Sequence, residues 1–132
     1  MAAVDTNVLV RFVVHDDAAQ GDTAAALMRS AVDSGQPLLV PVTVLLESEW
    51  VLRSVFGFEK PTVLAALRQL LGSYELRFES EGAVELALSE YERGSADYAD
   101  CLHAALASQA GEQPLWTFGK AAARVHGARL LA

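Results

Sequence analysis

Short apolar runs alternate with helical patterns along the whole chain, and this alternation constrains the fold more than any other feature. In each helical pattern, apolar residues recur every three or four positions, whereas the apolar runs are only four or five residues long. Such an alternation is typical of α/β folds, in which helices cover both faces of a mainly parallel sheet. We therefore predict a single α/β domain over residues 1–132, with four to five strands in a central sheet.

Capping residues and glycines set the predicted boundaries. Asp16 or Asp17 begins the second helix, which Gly35 ends, and Thr43 is expected to cap the third. The predicted strands are residues 1–4, 38–42, 75–78, 115–118 and 129–131. The predicted helices run through residues 6–14, 16–34, 43–56, 60–71, 80–93 and 95–110, with a short helix ending at 125. The second helix is expected to bury Ala25, Leu27, Met28, Ala31 and Val32.

Composition and charge exclude several classes of protein. The formal net charge is −7, which argues against a nonspecific nucleic-acid coat but not against a nucleic-acid substrate drawn to a bound metal ion. A single cysteine, Cys101, allows neither an intrachain disulfide nor a multi-cysteine zinc site. No basic segment precedes an apolar one and the first predicted strand begins at Met1, so we expect neither a cleaved leader nor a membrane span. The expected location is the cytoplasm.

Asp5 directly follows the first apolar run and precedes a helical pattern. One interpretation is a helix N-cap, because a short acidic side chain accepts hydrogen bonds from free backbone N–H groups. The other is a metal ligand, because parallel sheets bind ligands at the carboxyl ends of their strands. Thr6 or Asn7 would then hold the aspartate in place, and a carboxylate buried there would need a cation or a proton. The two interpretations are compatible.

The third predicted helix carries two acids, Glu47 and Glu49, beside its apolar face. Glu49 has Arg53 four residues later, the favourable order for a surface ion pair. Glu47 has no such partner, so the periodicity favours Glu47 as the acid that points inward. The alternative for both residues is an ordinary solvated charge.

Asp97 and Asp100 stand three residues apart near the start of the sixth predicted helix, so they share one face. Asp97 fits a helix cap, which also suits the helix dipole. Asp100 lies deeper in the helix among apolar residues, which favours a functional role. His103, three residues further on, is expected at the surface or as a support rather than as a ligand.

A cluster built from these acids would need compensation. Two like charges about 4 Å apart repel by about 4 kcal/mol at an effective dielectric constant of about 20. Carboxylate oxygens prefer hard cations, so Mg²⁺ or Mn²⁺ is the expected compensating ion. Such an ion lowers the pKa of a bound water and polarises a phosphoryl oxygen. The pattern therefore indicates hydrolysis of a phosphodiester.

The ordered segments around these acids resemble the PIN-domain nucleases, and among them the VapC-type toxins of toxin–antitoxin pairs. The first acid, Asp5, lies in a segment similar to the family's opening strand, and Trp50 and its neighbours favour Glu47 as the acid of the second segment. The resemblance covers nearly the whole chain and rests on residues 2–10 (AAVDTNVLV), 41–57 (PVTVLLESEWVLRSVFG), 95–107 (SADYADCLHAALA) and 115–119 (LWTFG).

The resemblance implies a metal-dependent endoribonuclease that cleaves RNA with a metal-activated water. Asp5, Glu47 and Asp100 would hold Mg²⁺ or Mn²⁺, and Asp97 would be an accessory ligand or an anchor. The family also implies a homodimer and a cognate antitoxin, to which apolar groups of residues 50–58 would contribute contacts. Basic residues expected to guide RNA, or to be ordinary surface charges, are Arg11, Arg53 and Arg124.

Gly119 departs from the family pattern, which commonly has a fourth acid at this position. A weakened enzyme or a protein-binding module without activity is therefore an alternative, although Asp97 could compensate in part and Thr117 could orient a water. A second alternative is a phosphatase of the haloacid-dehalogenase type with Asp5 as nucleophile. Those enzymes usually have a second aspartate two residues on, where this chain has Asn7.

Overall fold

Four short strands pair in parallel, two by two. The computed structural model describes residues 1–132. The strands are β1 (Leu38–Val40), β2 (Leu76–Phe78), β3 (Leu115–Thr117) and β4 (Ala128–Leu130). β1 pairs with β2, and β3 pairs with β4. A parallel bridge between Ala3 and Leu39 stands where the first strand was predicted. The predicted α/β class with parallel strands is confirmed. The prediction of one central sheet of four to five strands is wrong, because the strands are short and pair as two two-stranded sheets.

Six α-helices and one short 3₁₀ helix connect and follow these strands. The helices are α1 (Thr6–Val13), α2 (Ala18–Ser34), α3 (Val42–Ser54), α4 (Lys60–Leu71), α5 (Glu81–Arg93) and α6 (Tyr98–Gln109), with the 3₁₀ helix at Ala122–Arg124. None of them combines the length and the apolar character that crossing a membrane requires.

Local capping explains where several helices begin and end. The Asp17 carboxylate accepts a hydrogen bond from the Gln20 N–H at the start of α2, and Gly35 ends that helix with φ 68°. A left-handed residue at a helix end is favourable for glycine, which has no Cβ to clash. The prediction that Thr43 caps α3 is wrong, because the helix begins at Val42 and Thr43 already lies in its first turn.

Glu79, which is distant in sequence, accepts a hydrogen bond at the start of α3 instead. The N-terminal position is Pro41, which has no side-chain acceptor. The Val42 N–H donates to Oε1 of Glu79 at 2.8 Å, and the Glu79 N–H donates to the Val40 carbonyl at 3.1 Å. Glu79 thereby holds the chain on both sides of Pro41. A carboxylate at a helix N-terminus is also favoured by the helix dipole.

The first of two compact units is Met1–Glu79. In it, α1 packs against α2 and α3, α3 packs against α4, and α4 contacts β2. Large aliphatic side chains in this unit are fully buried, and they include Leu9, Val40, Leu45, Leu52, Val63 and Leu67. Burial of each such side chain contributes about 1.5–3 kcal/mol.

The second unit is Ser80–Ala132. Here α5 packs along α6, α6 contacts β3, and the 3₁₀ helix packs on the β3–β4 pair. Between α5 and α6, the rings of Tyr91 and Tyr98 lie 5.5 Å apart, a favourable aromatic separation. Helix α6 begins at Tyr98, three residues later than predicted, which places Asp97 at its N-terminal boundary.

The buried face of α2 differs from the predicted one. Met28 and Ala31 are buried as expected, but Leu27 and Val32 are exposed and Ala25 is half-buried. The buried positions also include Gly21 and Ala24. A Cβ at Gly21 would lie 3.3 Å from Nδ1 of His15, so small residues, not large ones, face α1 here.

Candidate functional site

Asp5 caps α1 and remains exposed. Its Oδ1 accepts a hydrogen bond of 3.0 Å from the Val8 N–H, which satisfies one of the free donors at the helix start. The expectation that this carboxylate is buried is wrong, because α1 begins at the next residue and turns the side chain back over its own first turn. The second carboxylate oxygen, Oδ2, makes no hydrogen bond within the protein.

Thr6 connects the Asp5 segment to Glu47. The Thr6 hydroxyl donates a hydrogen bond to Oε1 of Glu47 across 41 positions of sequence. Thr6 is 9% exposed and Glu47 is exposed, so the bond runs from the packed contact of α1 and α3 outward. This hydroxyl fixes one oxygen of Glu47 beside the residue that follows Asp5. The other oxygen is available to a ligand.

Glu49, not Glu47, is the buried acid of α3. Its side chain is 2% exposed, and Oε2 accepts a hydrogen bond of 2.9 Å from Nε of Arg53. The predicted pairing with Arg53 is present, but the expectation of a solvated surface pair is wrong. Packing against neighbouring helices removes Glu49 from solvent, which the helix periodicity alone did not indicate.

A groove opens between α1 and α2 beside Asp5. Its volume is about 520 Å³, which lies in the range of roughly 300–1,000 Å³ that is usual for ligand sites. The lining includes Asp5, Asn7 and Arg11 on one side and Gln20 and Thr23 on the other. The Arg11 guanidinium is already bound to Gln20 and to Asp16. Asp5 therefore faces a space large enough for part of a nucleotide.

In the second unit, the two acids of α6 make no side-chain hydrogen bonds. Asp97 lies at the N-terminal boundary, but its carboxylate does not cap the helix, and only its carbonyl accepts a bond from the Cys101 N–H. Asp100 is half-buried in the first turn. His103 is exposed on the same helix. The Asp97 and Asp100 carboxylates are therefore free to bind a cation or water.

Gly119 follows β3 in a position with room for a side chain. A Cβ there would lie 3.5 Å from the Ala122 Cβ and 3.5 Å from Oγ1 of Thr117, both ordinary contacts. The Gly119 N–H donates to Oγ1 of Thr117 at 3.0 Å. Neither the backbone conformation nor the surroundings demand glycine at this position.

Within each unit, no three Asp, Glu, His or Cys side chains gather into a metal-binding group. The first unit contributes Asp5 and Glu47, connected through Thr6, and the second contributes Asp97 and Asp100 on one helix turn. Each of these four carboxylates has at least one oxygen without a hydrogen bond in the protein. As donors, they suit a hard divalent cation.

Thr6 was predicted with the wrong partner, and Glu79 was not found from the sequence. Thr6 or Asn7 was expected to hold Asp5, whereas the Thr6 hydroxyl donates to Glu47. Thr6 shares the buried side of α1 with Leu9 and Val10, and a buried hydroxyl requires a hydrogen-bond partner. That spacing was the available indication, but it did not identify Glu47 as the partner. Glu79 gave no indication, since its bond to Val42 joins residues 37 positions apart.

Comparison with protein families now adds to this geometry. The PIN domain family matches residues 2–128, which is nearly the whole chain. The chain belongs to the PIN-domain family. PIN domains are generally metal-dependent nucleases, so the match indicates hydrolysis of phosphodiester bonds and not the phosphatase considered for Asp5. A comparison with curated proteins gives no match.

The basic residues of this PIN domain differ in their availability to a nucleic acid. Arg11 is paired with Asp16, and Arg53 is paired with Glu49. Arg124, at the end of the 3₁₀ helix, is exposed and makes no ion pair. Of the three predicted guides for RNA, only Arg124 therefore presents a charge that no acid in the protein neutralises.

Proposed function

We propose that this PIN domain is a metal-dependent endoribonuclease and the VapC-type toxin of a toxin–antitoxin pair. The observation that carries the proposal is the hydrogen bond from Thr6 to Glu47, since it holds the second acid of the family pattern beside the segment of the first. The family match over residues 2–128 supports the nuclease class. We further propose that residues 1–132 act as a single PIN domain in the cytoplasm.

In this proposal, Asp5, Glu47 and Asp100 hold Mg²⁺ or Mn²⁺, and Asp97 is an accessory ligand. The fit rests on the chemistry of the donors, which are carboxylates with unused oxygens. When bound, the ion would neutralise these charges, polarise a phosphoryl oxygen and activate water for attack on the RNA backbone. Thr6 keeps Glu47 oriented, and the Val8 N–H keeps Asp5 oriented.

The direct test is cleavage of single-stranded RNA by the purified chain, with Mg²⁺ or Mn²⁺ and with EDTA. Asp5→Asn and Asp100→Asn should each lower the rate by more than about 100-fold, since even residues that only support metal ligands contribute 10–100-fold. Asparagine caps a helix about as well as aspartate, so Asp5→Asn removes the charge and keeps the cap. Asp22→Asn, at an exposed acid of α2, is the matched control.

Metal-independent cleavage would reject the proposal, and so would full activity of both variants. A contaminating nuclease would give the same cleavage rate in preparations of Asp5→Asn, Asp100→Asn and Asp22→Asn. Activity of the chain itself would be lost in the first two variants and kept in Asp22→Asn. Isothermal titration with Mn²⁺ adds a readout that does not depend on turnover. We expect weaker Mn²⁺ binding for Asp100→Asn than for Asp22→Asn.

The proposed partners are a second copy of the chain and a cognate antitoxin. Trp50 and Val55, on and after α3, are 53% and 63% exposed, which supports an apolar contact surface in residues 50–58. Sedimentation equilibrium should show a homodimer, and Trp50→Glu should weaken it or prevent inhibition by the antitoxin. If Trp50→Glu changes neither, this surface is not the partner contact.

Gly119 supports one alternative, a PIN-like module with weak or no activity that binds a protein partner. The family commonly places an acid where this chain has no side chain. In that case, the purified chain would bind its partner but would cleave RNA no faster with Mg²⁺ than with EDTA. The cleavage assay above therefore decides between the enzyme and the module.

A further inference from the structure

One exposed surface of the second unit combines aromatic, apolar and basic side chains. On β3 and just after it, accessibility alternates, with Leu115 and Thr117 half-buried and Trp116 and Phe118 exposed. Trp116 is 53% exposed and Phe118 is 79% exposed. Two large rings that are exposed two residues apart, on a short strand and just after it, are costly to leave in water, so their exposure requires an explanation.

The partner strand adds a cation to the same side. Trp116 stands opposite Arg129 in the parallel register of β3 and β4. The Cζ atom of Arg129 lies 5.6 Å from the centroid of the Trp116 ring, within the range of a cation–π contact. We call the group of Trp116, Phe118 and Arg129 the aromatic face.

The segment that carries the aromatic face has a net charge opposite in sign to that of the rest of the chain. Residues 113–132 contain Lys120, Arg124 and Arg129 and no Asp or Glu, whereas residues 1–112 carry seven Lys or Arg against 17 Asp or Glu. Lys120 and Arg124 are exposed, and no acid of the protein pairs with them. A strongly acidic protein therefore ends in a segment of net positive charge.

Exposed aromatic rings in a segment whose basic side chains have no acidic partner match the chemistry of single-stranded nucleic acid. Unpaired bases stack on exposed rings and on guanidinium planes, while basic side chains neutralise the backbone phosphates. We propose that the aromatic face is a stacking platform for single-stranded RNA, on which bases pack against Trp116 and Phe118. The proposal rests on the nuclease function above and adds the part of the protein that holds the substrate.

A second copy of the chain fits this surface less well. Two aromatic faces in contact would bring two sets of Lys120, Arg124 and Arg129 together, with no acid in residues 113–132 to balance them. Like charges across an interface oppose association. A polyanion would instead gain from each of these cations.

Binding and cleavage should be measured separately. The probe is a fluorescein-labelled, mixed-sequence RNA of about 12 nucleotides, a length within the roughly 4–16 nucleotides that single-strand-binding modules cover. Anisotropy in EDTA reports binding without turnover. Trp116→Ala and Phe118→Ala should each weaken binding about 10-fold, as expected for the loss of a stacked base. Under cleavage conditions, the same variants should raise KM and leave kcat nearly unchanged.

Matched variants separate stacking from a general disturbance. Trp116→Tyr keeps a ring and should retain most of the affinity. Arg129→Gln should reduce the slope of log affinity against log salt by about 0.7, as expected for one lost phosphate contact on a single strand. Tyr74→Ala removes a 91% exposed ring from the first unit and should leave RNA binding unchanged. Circular dichroism confirms that each variant is folded.

Three outcomes would overturn the platform. They are no binding of the RNA by the unmodified chain, unchanged affinity of both Trp116→Ala and Phe118→Ala, and a shift from dimer to monomer in these variants with RNA affinity intact. The last outcome would assign the aromatic face to self-association. If the platform fails while cleavage still depends on metal and Asp100, the nuclease function stands. If RNA binds through the rings but is never cut, the nuclease function fails alone.

Discussion

The acids of the first unit and those of the second differ in what their side chains contact. Asp5 accepts a backbone hydrogen bond, and Glu47 accepts one from Thr6, so both are oriented by the protein. Asp97 and Asp100 accept none. The proposed metal ligands are therefore oriented in two ways, by hydrogen bonds in the first unit and only by their position at a helix start in the second.

This difference has an energetic consequence. A carboxylate that accepts hydrogen bonds contributes to folding as well as to ligand binding, so its removal affects both. A carboxylate without such bonds contributes mainly through the ligand. Substituting Asp5 or Glu47 should therefore lower both stability and activity, whereas substituting Asp97 or Asp100 should lower mainly activity.

Among the substitutions that test this difference in orientation, the largest expected effect concerns Glu47. Thr6→Val keeps the shape of the side chain and removes the hydroxyl group that donates a hydrogen bond to Glu47. RNA cleavage should fall by about 10–100-fold, as for other residues that position metal ligands. Thr6→Ser should recover most of the rate, and Thr43→Val, at an exposed position of α3, should have no effect. Equal rates for Thr6→Val and the unmodified chain would show that the hydrogen bond does not prepare Glu47.

A second prediction adds an acid to the second unit, in which the Asp97 and Asp100 carboxylates accept no hydrogen bonds. Gly119→Asp places a carboxylate where a Cβ makes only ordinary contacts. We expect Mn²⁺ binding to strengthen by about 10-fold, since ligand charge increases the affinity of hard cations. Gly119→Asn is the control for shape. Calorimetry measures the affinity, and identical values for Gly119→Asp and Gly119→Asn would contradict the prediction.

The third prediction compares how much stability is lost when one acid is removed from each unit. Asp5→Ala removes a helix cap and should lower the free energy of unfolding by about 1 kcal/mol. Asp100→Ala removes only a favourable charge near the start of α6 and should cost about 0.3 kcal/mol. Urea denaturation measures both. If the loss for Asp100→Ala equals or exceeds that for Asp5→Ala, the two sets of acids do not differ as described.

A similarly small effect is expected at Glu79, which accepts a hydrogen bond at the start of α3. Glu79→Gln keeps an acceptor oxygen but removes the charge that favours the helix dipole, so the free energy of unfolding should fall by about 0.3–0.5 kcal/mol. Glu75→Gln, at the residue directly before β2, provides the control. High salt should reduce the difference, because it screens the charge. A salt-independent loss would indicate a packing effect.

Much of the fold was predictable from the sequence because its determinants are local. The Asp17 cap and the left-handed Gly35 define the ends of α2, and both belong to the segment that they end. The order of helices and parallel strands followed from the alternation of patterns. The buried face of α2 was not predictable, because the space at Gly21 is limited by His15 and by the Arg11 carbonyl of α1, and these contacts depend on tertiary packing.

The candidate site was predictable only in its composition. Asp5, Glu47, Asp97 and Asp100 were named from position and family resemblance, and the cap at Asp5 was one of two stated interpretations. The arrangement of Glu47 and Glu49 was not predictable, because a helix pattern shows which face is apolar but not which neighbours bury an acid beside it. The bond between Thr6 and Glu47 depends on tertiary packing, which spacing does not encode.

The surroundings of Gly119 have a consequence for evolution. Ala122 and Thr117 make only ordinary contacts with a Cβ at this position, so close contacts do not enforce glycine. The glycine codons GGU and GGC differ from aspartate codons at one base, so from these codons a single mutation would introduce the acid that is common in the family. If glycine persists at a position where a Cβ is accepted, the reason lies in function and not in packing.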